Sequence, residues 1–183
     1  MATIPELPCK TTAGQAYSIR TAQPDDAEAM LAYIRPIAED TKFFVLEADE
    51  FPTVDEEQDW IQDHLDHPGK LLLLAEADGQ LIGNISFETG SRRRISHRGD
   101  FGLSVARAWR GRGVGTTLIK TLLKWAASNP LVEKVCLDVF ATNTRAIRLY
   151  RKLGFVEEGR RIKDIKRGPN DYVDTLMMGR FVQ

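Results

Sequence analysis

Cysteine is nearly absent from this chain. Only Cys9 and Cys136 occur in 183 residues, one in a stretch without periodicity and the other in an apolar run. Two such distant thiols do not make the disulfide framework of a small secreted domain. The three histidines do not complete a zinc-ligand spacing with them. We therefore expect a reducing, cytoplasmic location and no metal.

Long apolar runs and an excess of charge are also lacking. The longest compact apolar run, Leu71–Ala75, is far shorter than the roughly 20 residues that cross a bilayer and predicts a buried strand. Residues 1–16 contain no apolar core of a signal peptide. The chain carries 25 basic and 26 acidic residues, a net charge of -1, which gives no global attraction to polyanions. We expect neither nucleic acid nor a membrane as a partner.

The composition that remains is that of a soluble domain with a real core. Hydrophobic residues make up 43% and charged residues 28% of the chain, both ordinary for one globular domain. Asp78-Gly79 between two apolar stretches predicts a β-hairpin, and Thr53-Val54-Asp55-Glu56 predicts a capped helix start. Strand and helix patterns alternate in mixed order, so we expect an α/β fold. Residues 1–16 are predicted to be a loose tail and residues 17–183 the folded domain.

The stretch "VARAWRGRGVGTTLIKTLLKWA", Val105 to Ala126, places three glycines at the start of a helix. Gly111, Gly113 and Gly115 follow an apolar strand and precede an apolar-periodic run. A helix start has free N–H groups and a positive dipole end. Glycine lets an anion approach that backbone without meeting a Cβ. This order predicts a phosphate site, although the glycines could also form a plain tight turn or part of a dinucleotide site.

The dinucleotide interpretation fits the spacing poorly. Its fingerprint needs a third glycine further on, but Thr116 and Leu118 stand at the positions that follow. Asp138 could serve as the ribose-binding acid of such a site. The motif also lies in the middle of the chain rather than in an N-terminal βαβ unit.

A second motif narrows the choice. "DVFATNTRAIRLYRKLGFVEEG", Asp138 to Gly159, carries Asn143, Ala146, Tyr150 and Gly154-Phe155. With the Arg110–Gly115 turn, it resembles the two cofactor-binding segments of the GNAT superfamily of acetyl-CoA-dependent N-acetyltransferases. The match covers about Phe101 to Gly159 and is most similar to the ribosomal-protein and amino-acid acetyltransferase group. Residues 17–100 fit that superfamily only by element order.

The resemblance implies a fold and a cofactor site. The fold is a mixed, mostly antiparallel sheet of about seven strands with about four helices, in which a parallel strand pair splays apart. The cosubstrate is acetyl-CoA, and no metal is involved. The resemblance assigns cofactor contacts to Leu103, Ser104, Val105, Arg110, Gly111, Arg112, Gly113, Val114, Gly115, Thr116, Asn143, Ala146, Tyr150 and Lys152.

The implied reaction is direct attack of a primary amine, on a small molecule or a peptide N-terminus, on the thioester. The N–H of Val105 would stabilise the developing oxyanion. Tyr150 would protonate the leaving thiolate, a transfer that is uphill because the ordinary pKa is about 10 for a phenol and about 8.5 for a thiol. Candidate bases for the amine are Asp138, Glu88 and Asp100.

The acceptor side is weakly marked in the sequence. The resemblance places one wall between the first two helices, which suggests Phe43 and Glu47, with Asp100 nearby, as substrate contacts. It also suggests a homodimer. Two alternatives to the enzyme stay open: a non-catalytic acyl-CoA-binding or sensor module, and a dinucleotide-dependent oxidoreductase.

Overall fold

The computed structural model describes residues 3–47 and 49–182, and these build one mixed sheet of eight strands. The spatial order is β1-β2-β3-β4-β5-β6-β8-β7. All neighbouring pairs are antiparallel except β5 and β6. The strands are β1 Leu7–Lys10, β2 Ala16–Thr21, β3 Lys70–Ala77, β4 Gln80–Thr89, β5 Arg98–Val105, β6 Lys134–Phe140, β7 Val156–Gly168 and β8 Asp171–Phe181.

Four α-helices cover the two faces of this sheet. They are α1 Ala27–Asp40, α2 Val54–Asp66, α3 Val114–Ser128 and α4 Thr144–Lys152. The larger core lies between the sheet and α3 with α4, and includes Leu118, Leu122 and Ile147. The smaller core lies between α1, α2 and the opposite face of β3, where Leu72 and Leu74 point. Alternate residues of one strand therefore serve both cores, which explains the continuous apolar run Leu71–Ala75 within β3.

Local signals in the sequence formed the expected structures. Asp78 and Gly79 both have positive φ angles, 51° and 74°, as a two-residue hairpin turn requires. Thr53 and Glu56 make both hydrogen bonds of the capping box at the start of α2. The mixed α/β fold with a parallel strand pair is confirmed, with eight strands rather than about seven.

The additional strand lies in the stretch expected to be a loose tail. Leu7–Lys10 pair antiparallel with β2 in the register Leu7 to Ile19. Leu7 and Cys9 pack against the larger core, so alternate apolar residues fix this short segment. A period of two over four residues is too short to be recognised in the sequence, especially with Pro8 inside the strand and Pro5 just before it.

Candidate active site

The parallel pair β5–β6 separates along its length. Pairing joins Arg98 to Lys134, Gly99 to Val135 and Asp100 to Cys136, and then stops. β5 continues to Val105 and β6 to Phe140 without further pairing between them. A gap therefore opens between the carboxyl ends of the two strands, as the resemblance implied.

The edge of β5 that faces this gap carries free backbone groups. On the other edge, Ala106 N–H donates to Ile82 O at 2.9 Å. Because backbone groups alternate between the two edges of a strand, the N–H groups of Leu103 and Val105 point toward the gap. The carbonyl of Val105 accepts from Arg110 Nε at 2.8 Å. The amides of both residues are thus placed to meet a ligand between the strands.

The glycine-rich turn follows β5 and leads into α3, whose first turn has no side-chain cap. Gly111 and Gly113 have φ angles of 80° and 95°, in the region where a side chain is strained. The first bond of α3 runs from Thr117 N–H to Gly113 O at 3.0 Å. The N–H groups of residues 114–116 consequently have no partner within the helix. No acidic residue lies in this first turn and no side chain caps it, so an anion can approach.

Three arginines surround the turn, and each has a different position. Arg110 donates to the carbonyl of Val105 in β5. Arg112 Nη1 donates to Gln15 Oε1 at 3.0 Å, and its own carbonyl accepts from Thr12 N–H at 3.0 Å. A Cβ on Gly111 would lie 3.1 Å from a guanidinium nitrogen of Arg145. Arg145 therefore adds a positive charge at the turn itself.

Helix α4 brings the second motif to the same region. Asn143 Oδ1 caps the helix by accepting from Ala146 N–H at 3.2 Å, which leaves its amide NH2 group without a hydrogen bond among the described residues. Tyr150 is buried, and its ring packs edge-on to Phe101 of β5 with centroids 5.7 Å apart. Burial raises the pKa of Tyr150 to about 12. Its hydroxyl has no hydrogen-bond partner among the described residues, yet it is not sealed from solvent.

Lys152 lies away from the glycine-rich turn. It lines a separate basic groove with Lys120, Lys124 and Arg180. At 1.5 Å per residue, Lys152 is roughly 13 Å along α4 from Asn143. The structure therefore gives it no contact with the glycine turn.

A cavity of about 510 Å³ opens on the α1–α2 face of the sheet. Leu103 and Ser104 of β5 form part of its floor, so the cavity meets the strand that borders the gap. Its walls are mainly apolar side chains, and its polar groups come from α1, α2, β4 and β5. The lining residues are Met30, Leu31, Tyr33, Ile34, Phe44, Leu46, Phe51, Pro52, Glu56, Glu57, Trp60, Asn84, Ser86, Gly102, Leu103 and Ser104.

A hydrogen-bond chain crosses the floor of this cavity. Ser104 Oγ donates to Asn84 Oδ1 at 2.5 Å and lies 2.9 Å from the hydroxyl of Tyr33. Because Ser104 has one proton, already donated, Tyr33 donates to Ser104. The remaining lone pair of the Tyr33 oxygen can accept from a ligand. Burial raises the pKa of Tyr33 to about 12, so this hydroxyl stays protonated at neutral pH.

The three predicted bases are not on the cavity lining, and each has a cationic neighbour. Glu88 lies 3.2 Å from Lys70 Nζ and 3.3 Å from Nε2 of the buried His64, although the His64 contact lacks the alignment of a hydrogen bond. The contacts with His64 and Lys70 lower the pKa of Glu88 to about 2, which makes it a weak base.

The two aspartates belong to the parallel strand pair, Asp100 to β5 and Asp138 to β6. Asp138 pairs with Arg161 of β7 at 2.5 Å, and Asp100 lies 3.3 Å from Arg98. Partial burial raises the pKa of Asp100. Neither side chain lines the cavity.

The predicted substrate contacts in the loop after α1 are near the cavity but not in its lining. Phe43 packs edge-on to Phe140 at the end of β6, with centroids 6.0 Å apart. The side chain of Glu47 is exposed, and its backbone N–H already donates to Glu50 Oε2 at 2.8 Å. Their neighbours Phe44 and Leu46 supply the wall instead.

Sequence reasoning missed the polar floor of the cavity. Asn84, Ser86 and Glu88 alternate along β4 with the buried Ile85 and Phe87. That period of two was the available signal, since it marks one polar face of the strand. Tyr33 gave no comparable signal, because it lies beside the apolar stripe of α1.

Comparison with known proteins identifies the class. The family model described as the acetyltransferase (GNAT) family matches residues 31–155. The chain therefore belongs to the GNAT family of acetyltransferases, and the predicted enzyme class is confirmed.

Particular relatives agree with this placement. The chain is 35% identical over 121 residues to the L-amino acid N-acetyltransferase AaaT of Escherichia coli, covering 66% of this chain and 74% of that protein. A GNAT-family acetyltransferase of Streptococcus pneumoniae superposes with a TM-score of 0.87 and 26% identity, over 91% of this chain and 99% of that one. The yncA protein of Salmonella typhimurium, solved with its cofactor acetyl-CoA, has the same fold, with a TM-score of 0.81 and 21% identity over 91% and 94% of the two chains.

Two further observations bear on metals and membranes. Within residues 3–47 and 49–182, no three His, Cys, Asp or Glu side chains are grouped closely enough to hold a metal ion. No helix in the described part of the chain is long and apolar enough to cross a membrane.

Proposed function

We propose that the protein transfers an acetyl group from acetyl-CoA to a primary amine by direct attack in a ternary complex. One observation carries this proposal. The strand segment Leu103–Ser104 borders the gap between β5 and β6 on one side and the 510 Å³ cavity on the other. A thioester in the gap and an amine in the cavity would therefore meet at β5.

The cofactor residues have distinct tasks in this proposal. The N–H groups of residues 114–116 hold the pyrophosphate at the positive end of the α3 dipole, and Arg145 adds charge beside Gly111. The free amide of Asn143 contacts the pantetheine arm. These groups fit the ligand because no protein side chain occupies the helix start.

The chemical step uses backbone and side-chain groups that flank the gap. The N–H of Val105 donates to the carbonyl oxygen as negative charge develops on it. Tyr150 donates its proton to the leaving sulfur as the C–S bond breaks. The proton that the attacking nitrogen loses passes to solvent, from which Tyr150 is reprotonated. The hydroxyl oxygen of Tyr33 accepts a hydrogen bond from the amine and orients its lone pair. Neither cysteine takes part, because the amine attacks directly.

The amine must reach the site without its extra proton. Glu88 is a poor base because its pKa is lowered, and Asp138 is paired with Arg161 outside the cavity lining. We therefore propose that the proton leaves to solvent through the open cavity. Of the three bases predicted from the sequence, the half-buried Asp100 is the one left as a candidate.

Two measurements test the proposal. Acetyl-CoA should raise the melting temperature, since a ligand at 100 times its Kd stabilises the folded state by about 2.7 kcal/mol, and NAD should not. Release of free CoA should then depend on an added primary amine. Stabilisation by NAD alone would contradict the cofactor assignment, and binding of acetyl-CoA without amine-dependent turnover would identify a binding module.

A further inference from the structure

The cavity on the α1–α2 face has an unusual balance of charge. Glu56 and Glu57 line it, and no lysine, arginine or histidine does so among the residues that the structure describes. A free amino acid has a carboxylate beside its amine, and a buried carboxylate needs a cation or several donors. The lining provides two negative charges instead.

Two arginines lie close by but are engaged elsewhere. The guanidinium of Arg35 stacks on the ring of Phe51, 5.4 Å from its centroid, and does not reach the lining. Arg110 donates through Nε to Val105 O at 2.8 Å and has Nη1 4.0 Å from Asp40. Neither guanidinium lines the cavity, so a substrate carboxylate bound there would not meet a cation already in place.

Glu57 is the carboxylate available to a ligand. Glu56 is held by Thr53 in the capping box of α2, with Thr53 N–H donating to it at 2.8 Å. Glu57 has neither a hydrogen-bond nor an ion-pair partner in the described part of the chain. It is half-buried, and this burial raises its pKa while the nearby His64 opposes the rise. An alkylammonium group would supply the missing partner.

The remainder of the cavity suits an apolar body. Phe44, Phe51 and Trp60 stand on one side and Met30 with Ile34 on another. A volume of about 510 Å³ is in the range of small-molecule sites. Aromatic walls of this kind gain most from burying a ring or a branched chain.

We propose that the acceptor is a small primary amine with an apolar body and no carboxylate on the carbon that bears the amine. This inference rests on the proposed function, because it names the substrate class of that site. Glu57 attracts the ammonium form into the cavity and repels a carboxylate. The polar chain from Tyr33 to Asn84 then receives the neutral amine beside β5.

Three matched amines test the proposal in the unaltered protein. The probes are 2-phenylethylamine, phenylalaninamide and phenylalanine, which share one ring and differ in the group on the α-carbon. CoA release is followed at saturating acetyl-CoA, and kcat/KM is expressed per unprotonated amine. We expect phenylalanine to be roughly 100-fold or more poorer than either analogue that lacks the carboxylate, as for a charge buried without a partner.

Two variants then test whether the carboxylate of Glu57 causes this selectivity. Glu57→Gln should reduce the preference for 2-phenylethylamine over phenylalanine by about tenfold, since a neutral amide no longer repels a carboxylate. Asp59→Asn, the same change on an exposed position of α2, should leave the preference unaltered. Partial misfolding lowers both rates together, so the ratio reports on selectivity alone.

The outcomes separate this inference from the proposed function. A kcat/KM for phenylalanine equal to or above that of 2-phenylethylamine overturns the inference while acetyl transfer itself stands. An unchanged ratio in Glu57→Gln removes Glu57 from selection. If no primary amine is acetylated, the proposed function fails and this inference fails with it.

Discussion

Tyr150 shows at the scale of one residue how a fold alters chemistry. In water its proton transfer to a thiolate is modestly uphill, but burial raises the phenol pKa to about 12 and steepens that gap. Its ring nevertheless packs against Phe101, the first residue of β5 beyond the pairing with β6. In the proposed reaction, the contribution of Tyr150 would then depend on contact with the leaving sulfur rather than on acidity.

We expect Tyr150→Phe to lower kcat by about 100-fold, the lower end of general-acid effects. Its melting temperature should barely change, because the ring that packs against Phe101 and Phe155 is kept. Stopped-flow or steady-state CoA release and thermal melts provide the two readouts. Tyr172→Phe, at an exposed position of β8, is the control, and equal kcat values in both variants would remove Tyr150 from the reaction.

The same residue makes a prediction about pH. With a pKa of about 12, Tyr150 keeps its proton throughout the range in which the protein is assayed. The kcat profile should therefore show no loss from Tyr150 below about pH 11. An alkaline decline that Tyr150→Phe abolishes would contradict this assignment.

Substitutions at two glycines of the turn distinguish the effect of backbone strain from the effect of added side-chain volume. Gly113→Ala forces a side chain into a positive φ, which costs about 1–2 kcal/mol, and should lower the melting temperature and raise KM for acetyl-CoA. Gly115→Ala meets only ordinary contacts, with Leu103 and Val105 atoms 3.5 Å from the new Cβ, and lies inside α3. Its melting temperature should stay constant or rise, and an equal loss of stability in both variants would refute the distinction.

At the scale of elements, an ionic cluster joins α2 to the ends of β3 and β4. His64 and Asp63 come from α2, Lys70 from β3 and Glu88 from β4. Glu88 has a folded-state pKa of about 2 against an ordinary value of 4.5. A depressed carboxylate pKa stabilises the fold above the unfolded value, and the contribution disappears as the pH falls toward 2.

Glu88→Gln should consequently cost about 1 kcal/mol of unfolding free energy at pH 7, after allowance for the exposure of the carboxylate. The difference from the unaltered protein should shrink below about pH 4.5 and vanish near pH 2. Urea unfolding at pH 7 and pH 3 measures it. The kcat of the variant should stay within about threefold; a collapse of kcat at unchanged stability would instead restore Glu88 as the base.

At the scale of the whole molecule, the N-terminal segment reaches the cofactor turn. β1 extends the sheet beyond β2, and the chain then passes Arg112, whose carbonyl accepts from Thr12 N–H. Residues that the sequence predicted to be a loose tail therefore form hydrogen bonds with the turn proposed to bind the pyrophosphate. The homodimer suggested by the resemblance remains a prediction, to be measured by sedimentation.

Removal of residues 1–10 should lower stability by about 2 kcal/mol, or roughly 4–8 °C in melting temperature for a chain of this length. The lost contacts are those of Leu7 and Cys9 with the larger core. KM for acetyl-CoA should rise, because Thr12 and Gln15 no longer hold the turn rigidly. An unaltered KM together with a lower melting temperature would show that β1 only stabilises the sheet.

The sequence by itself determined the local turns, the helix cap and the enzyme class. Glycine at positive φ, the Asp78-Gly79 hairpin and the Thr53 capping box depend on near neighbours alone, so their patterns could be recognised in one dimension. The order of the two cofactor segments, Arg110–Gly115 and Asn143–Phe155, was sufficient for the family.

Only the tertiary structure brought together the residues of the cavity proposed to bind the acceptor. Tyr33, Glu57, Asn84 and Ser104 come from four elements that lie far apart in the chain, and no spacing links them. The same packing gave Glu88 and Asp138 cationic partners, and it lowered the pKa of Glu88. Charge pairing across a sheet depends on register and on which helix covers which face, and those are properties of the packed chain rather than of any segment.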